Sequence, residues 1–423
     1  MYLVPPRETS LESHGRPELD GAARVISGLS IAFSRAAPPD DALGLDMLLT
    51  QCAACAVPLP RPAKQCSRCK TLYCGPACQK QHWEAGTHDM LCKKIKRAGG
   101  AEQYNANKKC SEAVAAAAEK CTDDTKGQTC YICTQAIHWK TKEGLVRMCS
   151  CRGTAGFAHV SCLAEQAKLL FAEAEENKLD VDVLSERWKR WHTCSLCEQQ
   201  HHGVVRCALG WACWKTYVGR PETNKARGLA MGVLANGLCD ADHFEDALSV
   251  YEAELSMRRR LGSSEYNILV LQGNLSNLYA RIGRLEHALL IRRDVYAGFL
   301  KLFGEEHYDT LTITSNFANL LVDLDHYEEA KVLLRKKIPV ARRVFGDSID
   351  VTLKLRRAYA MALRMDPRAT LDDVREAVAM LEDLERVVRR VFGGAHPFVA
   401  AFEESLQNAR EALRARETPS GSA

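Results

Sequence analysis

The chain has 423 residues, more than a single hydrophobic core usually organises, so two or three domains are expected. Its 57 basic and 53 acidic residues leave a net charge of +4, too small an excess to direct it to nucleic acid or to an anionic membrane surface. No run reaches the ~18 apolar residues of a membrane span, and fourteen of the nineteen cysteines stand in metal-ligand spacings rather than a disulfide framework.

The first residues lack a charged-then-apolar export signal, so a reducing cytoplasm or nucleus fits this cysteine usage. Residues 1–48 contain Pro5, Pro6, Pro17, Pro38 and Pro39 among short apolar runs. That is too little hydrophobic surface to offset the entropy of ordering, and a disordered segment is expected. The run Val25 to Phe33 offers at most a short helix.

A first metal pattern occupies residues 49–95: Cys52-x2-Cys55, Cys66-x2-Cys69, Cys74-x3-Cys78 and His88-x3-Cys92. Eight ligands suit two tetrahedral zinc ions. His82, four residues after Cys78, competes with His88 for a ligand role. His88 and Cys92 share one helical face and reach one ion without distortion, so His88 is the expected ligand and His82 a helix-surface residue. The stretch LYCGPACQKQHWEAGTHDMLC (Leu72 to Cys92) resembles the MYND finger family in its Tyr-Cys, Cys-Gln and Trp features. The resemblance implies interleaved ligation, with Cys52, Cys55, Cys74 and Cys78 on one zinc and Cys66, Cys69, His88 and Cys92 on the other. It also implies a protein-binding module that docks short proline-containing peptides.

Residues 96–126 read as a polar helical linker. The basic cluster Lys93, Lys94, Lys96 and Arg97 leads into it as a solvated helix face, with nuclear import as the alternative role, and the Ala-rich run Ser111 to Lys120 comes next. Cys110 and Cys121 have no paired partner and read as ordinary buried thiols.

The densest pattern lies in residues 127–217. Cys149-x1-Cys151-x7-His159-x2-Cys162 supplies four ligands within fourteen residues, and Cys130-x2-Cys133 and Cys194-x2-Cys197 complete eight, again enough for two zinc ions. With Cys fourth and His fifth, this order resembles the RING-CH (RING-variant) family. The 31 residues between Cys162 and Cys194 call for an inserted helix, roughly Ala164 to Trp191. The resemblance implies a ubiquitin ligase that docks a ubiquitin-conjugating enzyme and catalyses by positioning, with no nucleophile of its own. Ile132, inside the first Cys pair, would help form the docking groove; Leu196 and Trp188 or Trp191 are secondary candidates for the same surface.

Both modules are small and poor in large apolar side chains, so zinc is expected to supply folding free energy. Sixteen protein ligands for four ions leave no coordination position for a water, which argues against zinc hydrolase chemistry. The apolar stretch Val204 to Tyr217 is too short to cross a bilayer and is expected to pack the module onto the C-terminal half of the chain. His201, His202, Cys207 and Cys213 fit no metal spacing.

Beyond it, Leu261-Gly262, Phe303-Gly304, Phe345-Gly346 and Phe392-Gly393 recur at intervals of 42, 42 and 47 residues, the last with an insertion near Met365 to Thr370. A period of this length marks a stacked solenoid, expected over residues 227–415. Phe244, Ala247, Leu248 and Tyr251 fall on one helical face. Ala247, Ala288, Ala330 and Ala377 suit close helix approaches, and Gly262, Gly304 and Gly346 suit C-terminal caps. The phrases FGEEHYDTL (Phe303 to Leu311) and FGGAHPF (Phe392 to Phe398) resemble tetratricopeptide repeats of the kinesin-light-chain type.

That resemblance implies a concave face that binds peptides, with Asn277 and Asn319 as candidate contacts and Asn274 and Asn316 behind them; hydrogen bonding between repeats is their alternative role. Residues 416–423 are expected to be a disordered tail. The chain therefore reads as mainly α, with two small zinc-stapled modules followed by an α-solenoid of paired antiparallel helices. Two functions fit: a ubiquitin ligase whose MYND finger and repeats recruit protein substrates, and a non-enzymatic zinc-stapled adaptor. Exposure or burial of Ile132 separates them.

Overall fold

A computed structural model describes residues 52–55, 57, 59, 63–86, 88–392 and 397–417. The expected disordered segment 1–48 lies outside these residues. The first module is a two-stranded hairpin, β1 (Lys64–Gln65) against β2 (Leu72–Tyr73), followed by α1 (Pro76–Glu84) and α2 (His88–Arg97). Its core is small: four ligand cysteines with Tyr73, Ile95 and Ala101. Lys93, Lys94, Lys96 and Arg97 all point to solvent.

The expected polar linker is not a free connector. The chain turns at Gly99 and Gly100, both at positive φ, and enters α3 (Ala101–Lys120), which buries Ala106, Cys110 and Ala117. Those small side chains let α3 lie on α6 (Gly203–Tyr217). Gln103 Nε2 donates to the Lys215 carbonyl at 2.9 Å, and Glu102 pairs with Arg227 at 3.0 Å. Composition hid this, because alanines spaced among polar residues bury little area each and still form a contact stripe.

The inserted helix expected between Ala164 and Trp191 is two helices, α4 (Val160–Glu176) and α5 (Val181–Trp188), ending in a 3-10 turn (Lys189–Trp191). Lys178 at positive φ breaks the run, and Asp180 caps the restart by accepting from the Val183 N–H at 2.9 Å. The fold-back buries Trp188 against Phe171, ring centroids 4.8 Å apart, and packs Trp188 tilted and Trp191 edge-on against Tyr217. Both tryptophans are buried, so neither belongs to an exposed docking surface.

Helix α6 is buried along most of its length and packs on α3, α4 and α7 (Lys225–Asp240). At the α6–α7 crossing the backbones touch. A Cβ on Gly237 would stand 2.7 Å from the Arg206 carbonyl oxygen, and one on Gly210 would stand 3.0 Å from Leu234 Cα. Cys207 and Cys213 are core residues of α6.

From α7 onward the helices pair in sequence: α8 (Phe244–Arg260), α9 (Glu265–Arg281), α10 (Leu285–Phe303), α11 (Tyr308–Asp323), α12 (Tyr327–Phe345), α13 (Asp350–Met365), α14 (Leu371–Phe392) and α15 (Pro397–Glu417). Ala247, Ala288, Ala330 and Ala377 are fully buried at the helix contacts. Gly262, Gly304 and Gly346 all take positive φ just after their helices. The last helix runs past the expected boundary: Arg416 donates to the Ala369 carbonyl at 2.8 Å and Glu417 pairs with Arg375. Among the described residues no helix is long and apolar enough to cross a membrane.

Candidate metal centres and partner surfaces

Four groups of side chains converge, each with its ligand atoms within 4.8 Å of one another: Cys52, Cys55, Cys74 and Cys78; Cys66, Cys69, His88 and Cys92; Cys130, Cys133, His159 and Cys162; and Cys149, Cys151, Cys194 and Cys197. In both modules the first and third ligand pairs meet at one site and the second and fourth at the other. The two sites of each module therefore clamp the chain across each other.

The contacts within each group have the spacing of a coordination shell. A tetrahedral zinc with ~2.3 Å bonds to sulfur separates two thiolates by about 3.8 Å, and a thiolate from an imidazole nitrogen by about 3.6 Å. Observed Sγ–Sγ separations include 3.7 Å for Cys55–Cys74, 3.9 Å for Cys66–Cys92 and 3.7 Å for Cys151–Cys194. Cys69 lies 3.4 Å from His88 Nε2, and Cys162 lies 3.6 Å from His159 Nδ1. These separations suit the edges of a coordination tetrahedron.

Protonation fits the same account. The Cys149 contact pulls the Cys194 thiol down to about 4 while pushing Cys149 up, so crowded sulfurs alone share protons that a divalent cation would displace. Burial keeps His88 and His159 below the ordinary histidine range, neutral and able to ligate. His159 uses Nδ1 toward its cysteines, while its Nε2 faces the Ala136 carbonyl at 3.4 Å, an outer contact that fixes the tautomer. His82 sits outside every group. It is half-buried, held by the Tyr73 hydroxyl at 3.1 Å and packed 5.0 Å from the His88 ring.

Three ligand pairs share one local geometry. In Cys66 to Lys70, Cys130 to Thr134 and Cys194 to Glu198, the fifth residue takes positive φ and its N–H donates to the first cysteine's carbonyl. In the latter two, the residue between the cysteines turns its own N–H to sulfur: Ile132 N to Cys130 Sγ at 3.4 Å, Leu196 N to Cys194 Sγ at 3.5 Å. Spending the N–H inward throws both side chains outward, and Ile132 is 37% and Leu196 51% exposed. Tyr131 and Ser195, one residue earlier in each turn, join hydroxyls at 3.0 Å and tie the two turns together.

Sequence spacing did not reveal the supporting residues. Gly156, at φ +85, has no room for a side chain: a Cβ there would meet Cys151 Cβ at 2.5 Å and Cys149 Sγ at 3.4 Å. Glu143 receives the Ser161 N–H at 2.7 Å and hydroxyl at 2.9 Å, capping α4 beside His159 and Cys162.

On the solenoid, the Asn277 carboxamide oxygen accepts from Arg292 at 2.5 Å. Asn236, its counterpart one repeat earlier, accepts from Tyr251 at 3.1 Å. Tyr251 and Arg292 occupy the same place in successive second helices, four residues after Ala247 and Ala288. At this position Asn236 and Asn277 each bond within their own repeat, the role weighed against ligand contact. Asn274 lines a cavity with Asn236 and Asn267, whereas Asn316 and Asn319 are half-buried farther along, on α11.

Family comparisons find three kinds of module in the chain. Residues 52–92 match the MYND finger, residues 130–178 the RING-variant domain and residues 310–349 the tetratricopeptide repeat. Two zinc-finger modules precede tetratricopeptide repeats. The RING-variant match ends before Cys194 and Cys197, which the α5 fold-back returns to Cys149 and Cys151. No curated protein sequence matches the chain. Among solved structures, nearly identical TPR-like repeats from a Podosopora anserina kinesin light chain are 20% identical at a TM-score of 0.38, covering 46% of this chain and 90% of that one. BtubC (BKLC) from P. vanneervenii is 15% identical at 0.36, covering 62% and 94%. The chain is thus a zinc-binding protein built from interaction modules.

Proposed function

We propose that the chain is a RING-type ubiquitin ligase holding four zinc ions through the sixteen clustered side chains, two in each finger module. The observation that carries the reading is the pair of exposed apolar residues, Ile132 and Leu196, on two turns tied together by the Tyr131–Ser195 bond. This offers a ubiquitin-conjugating enzyme a shallow apolar seat. Each cluster provides four protein ligands, so the ions shape that seat and leave no coordination position for substrate. Acceleration of ubiquitin transfer then comes from orienting the charged conjugating enzyme. The MYND finger and the helical repeats supply protein-recruiting surfaces on the same body, in the cytoplasm or nucleus.

The test is ubiquitin discharge from a panel of charged conjugating enzymes by the zinc-loaded full chain, beside Ile132→Ala and Leu196→Ala. Discharge accelerated by the wild type and cut at least about tenfold by Ile132→Ala, with zinc content unchanged, supports the ligase; truncating a buried interface anchor costs about 2 kcal/mol or more. No acceleration by a folded, zinc-replete chain across the panel would replace this reading with the adaptor.

A further inference from the structure

A cavity of about 160 Å³ opens where the zinc module meets the first solenoid helices, bordered by Trp188 and His192 on one side and by α7, α8 and α9 on the other. An apolar cavity of ~150 Å³ holds one benzene ring, so this space takes a single side chain rather than a cofactor. Its walls are mainly apolar, with Leu229, Val233, Val270 and Leu271 among them. Set into them is Glu254, 3% exposed. One carboxylate oxygen, Oε1, accepts from Arg258 at 2.7 Å; the other, Oε2, has no partner among the described residues. Across from it stands Gly232, where even an added Cβ would keep 3.7 Å from Oε2. A buried carboxylate oxygen left unbonded is costly, and burial holds this carboxyl above its ordinary range.

From these features we infer that the cavity receives one lysine or arginine side chain of a peptide lying along the concave face, its aliphatic stem against the apolar walls and its cation donating to Glu254 Oε2. The inference rests on the repeats' proposed role as a protein-recruiting surface. Three other cations border the cavity. Arg258 already pairs with Glu254 Oε1, Arg206 pairs with Asp240 at 2.9 Å, and Lys225 stands at the start of α7. Arg206 Nε also lacks a partner and suits a carbonyl of the same peptide. Long side chains with an apolar stem and a charged head match walls of this composition. The zinc module's Trp188 and His192 close the cavity on one side, so the site belongs to the junction rather than to the repeats alone.

The test displays random dodecapeptides to the zinc-loaded full chain and measures selected peptides by fluorescence anisotropy against wild type, Glu254→Gln and Gly232→Leu. The expected result is enrichment of a fixed Lys or Arg position. Replacing that residue by norleucine, or the protein by either variant, should weaken binding at least about tenfold, the scale of a lost charge-assisted hydrogen bond. Gly232→Leu fills the space while leaving the carboxylate itself in place, so it guards against a folding defect in Glu254→Gln. Enriched peptides without a basic position, or with an acidic one, overturn the inference and leave the recruiting surface standing. No enrichment overturns both.

Discussion

A side chain at position 156 would collide with the sulfur shell, since the Cβ of Gly156→Ala falls 2.5 Å from Cys151 Cβ on a backbone already at φ +85. Gly156→Ala is expected to lower zinc stoichiometry by one ion per chain, read by native mass spectrometry, with retained stoichiometry as the contrary result. At the other module, His88→Ala should also lose one ion. His82→Ala should keep every ion, giving up the Tyr73 hydrogen bond, worth about 1 kcal/mol, together with its packing on the His88 ring. The four converging clusters were legible in the sequence because coordination chemistry constrains residue type and spacing together. Lys70, Thr134 and Glu198 were not, because positive φ after each second cysteine is set by the turn's hydrogen bond, and no glycine marks it.

Between repeats, the insertion after α13 is anchored by Asp366, which is 1% exposed, accepts from Lys331 at 2.9 Å and takes the Arg368 N–H at 2.9 Å. The Lys331 hydrogen bond holds its carboxyl down to about 2, below the ordinary value of ~3.9. Its contribution is therefore complete above about pH 4 and fades as pH falls through about 2. Asp366→Asn should destabilise the fold by about 3 kcal/mol near neutrality, as expected for a broken buried pair. In urea titrations the gap from wild type should narrow between pH 4 and pH 2, and a gap constant over that range would remove Asp366 as the anchor.

At the α6–α7 crossing, Gly237→Ala gains ~1 kcal/mol of helix propensity, yet its Cβ would press to 2.7 Å from the Arg206 carbonyl oxygen. Overpacking of about 1–3 kcal/mol outweighs the gain, and a lower melting temperature is expected. The solenoid was legible because its period repeats in capping glycines and contact alanines. The α4–α5 break was not, because it depends on Lys178 adopting positive φ where Trp188 folds back against Phe171.

Across the whole molecule, metal and helix serve different regions. All six tryptophans, Trp83, Trp139, Trp188, Trp191, Trp211 and Trp214, precede α7, whereas most helical residues lie from α7 onward. Chelating zinc should therefore change tryptophan emission markedly while far-UV circular dichroism keeps most of its helical signal. Parallel loss of both would mean that the solenoid needs the metal modules to fold. Module order could be read from motifs alone. Their joint was legible on one side only: the apolar run Val204 to Tyr217 marked α6 as the contact, whereas the spaced small residues of α3 that lie on it carry no motif.

That joint sets the bearing of everything beyond it. An α-helix turns about 100° and rises ~1.5 Å for each residue. Deleting one residue from α6 would swing the whole solenoid a quarter-turn or more about that helix while altering no ligand and no repeat. The length of α6 is thus an angular setting, fixing which way the repeats look relative to Ile132 and Leu196.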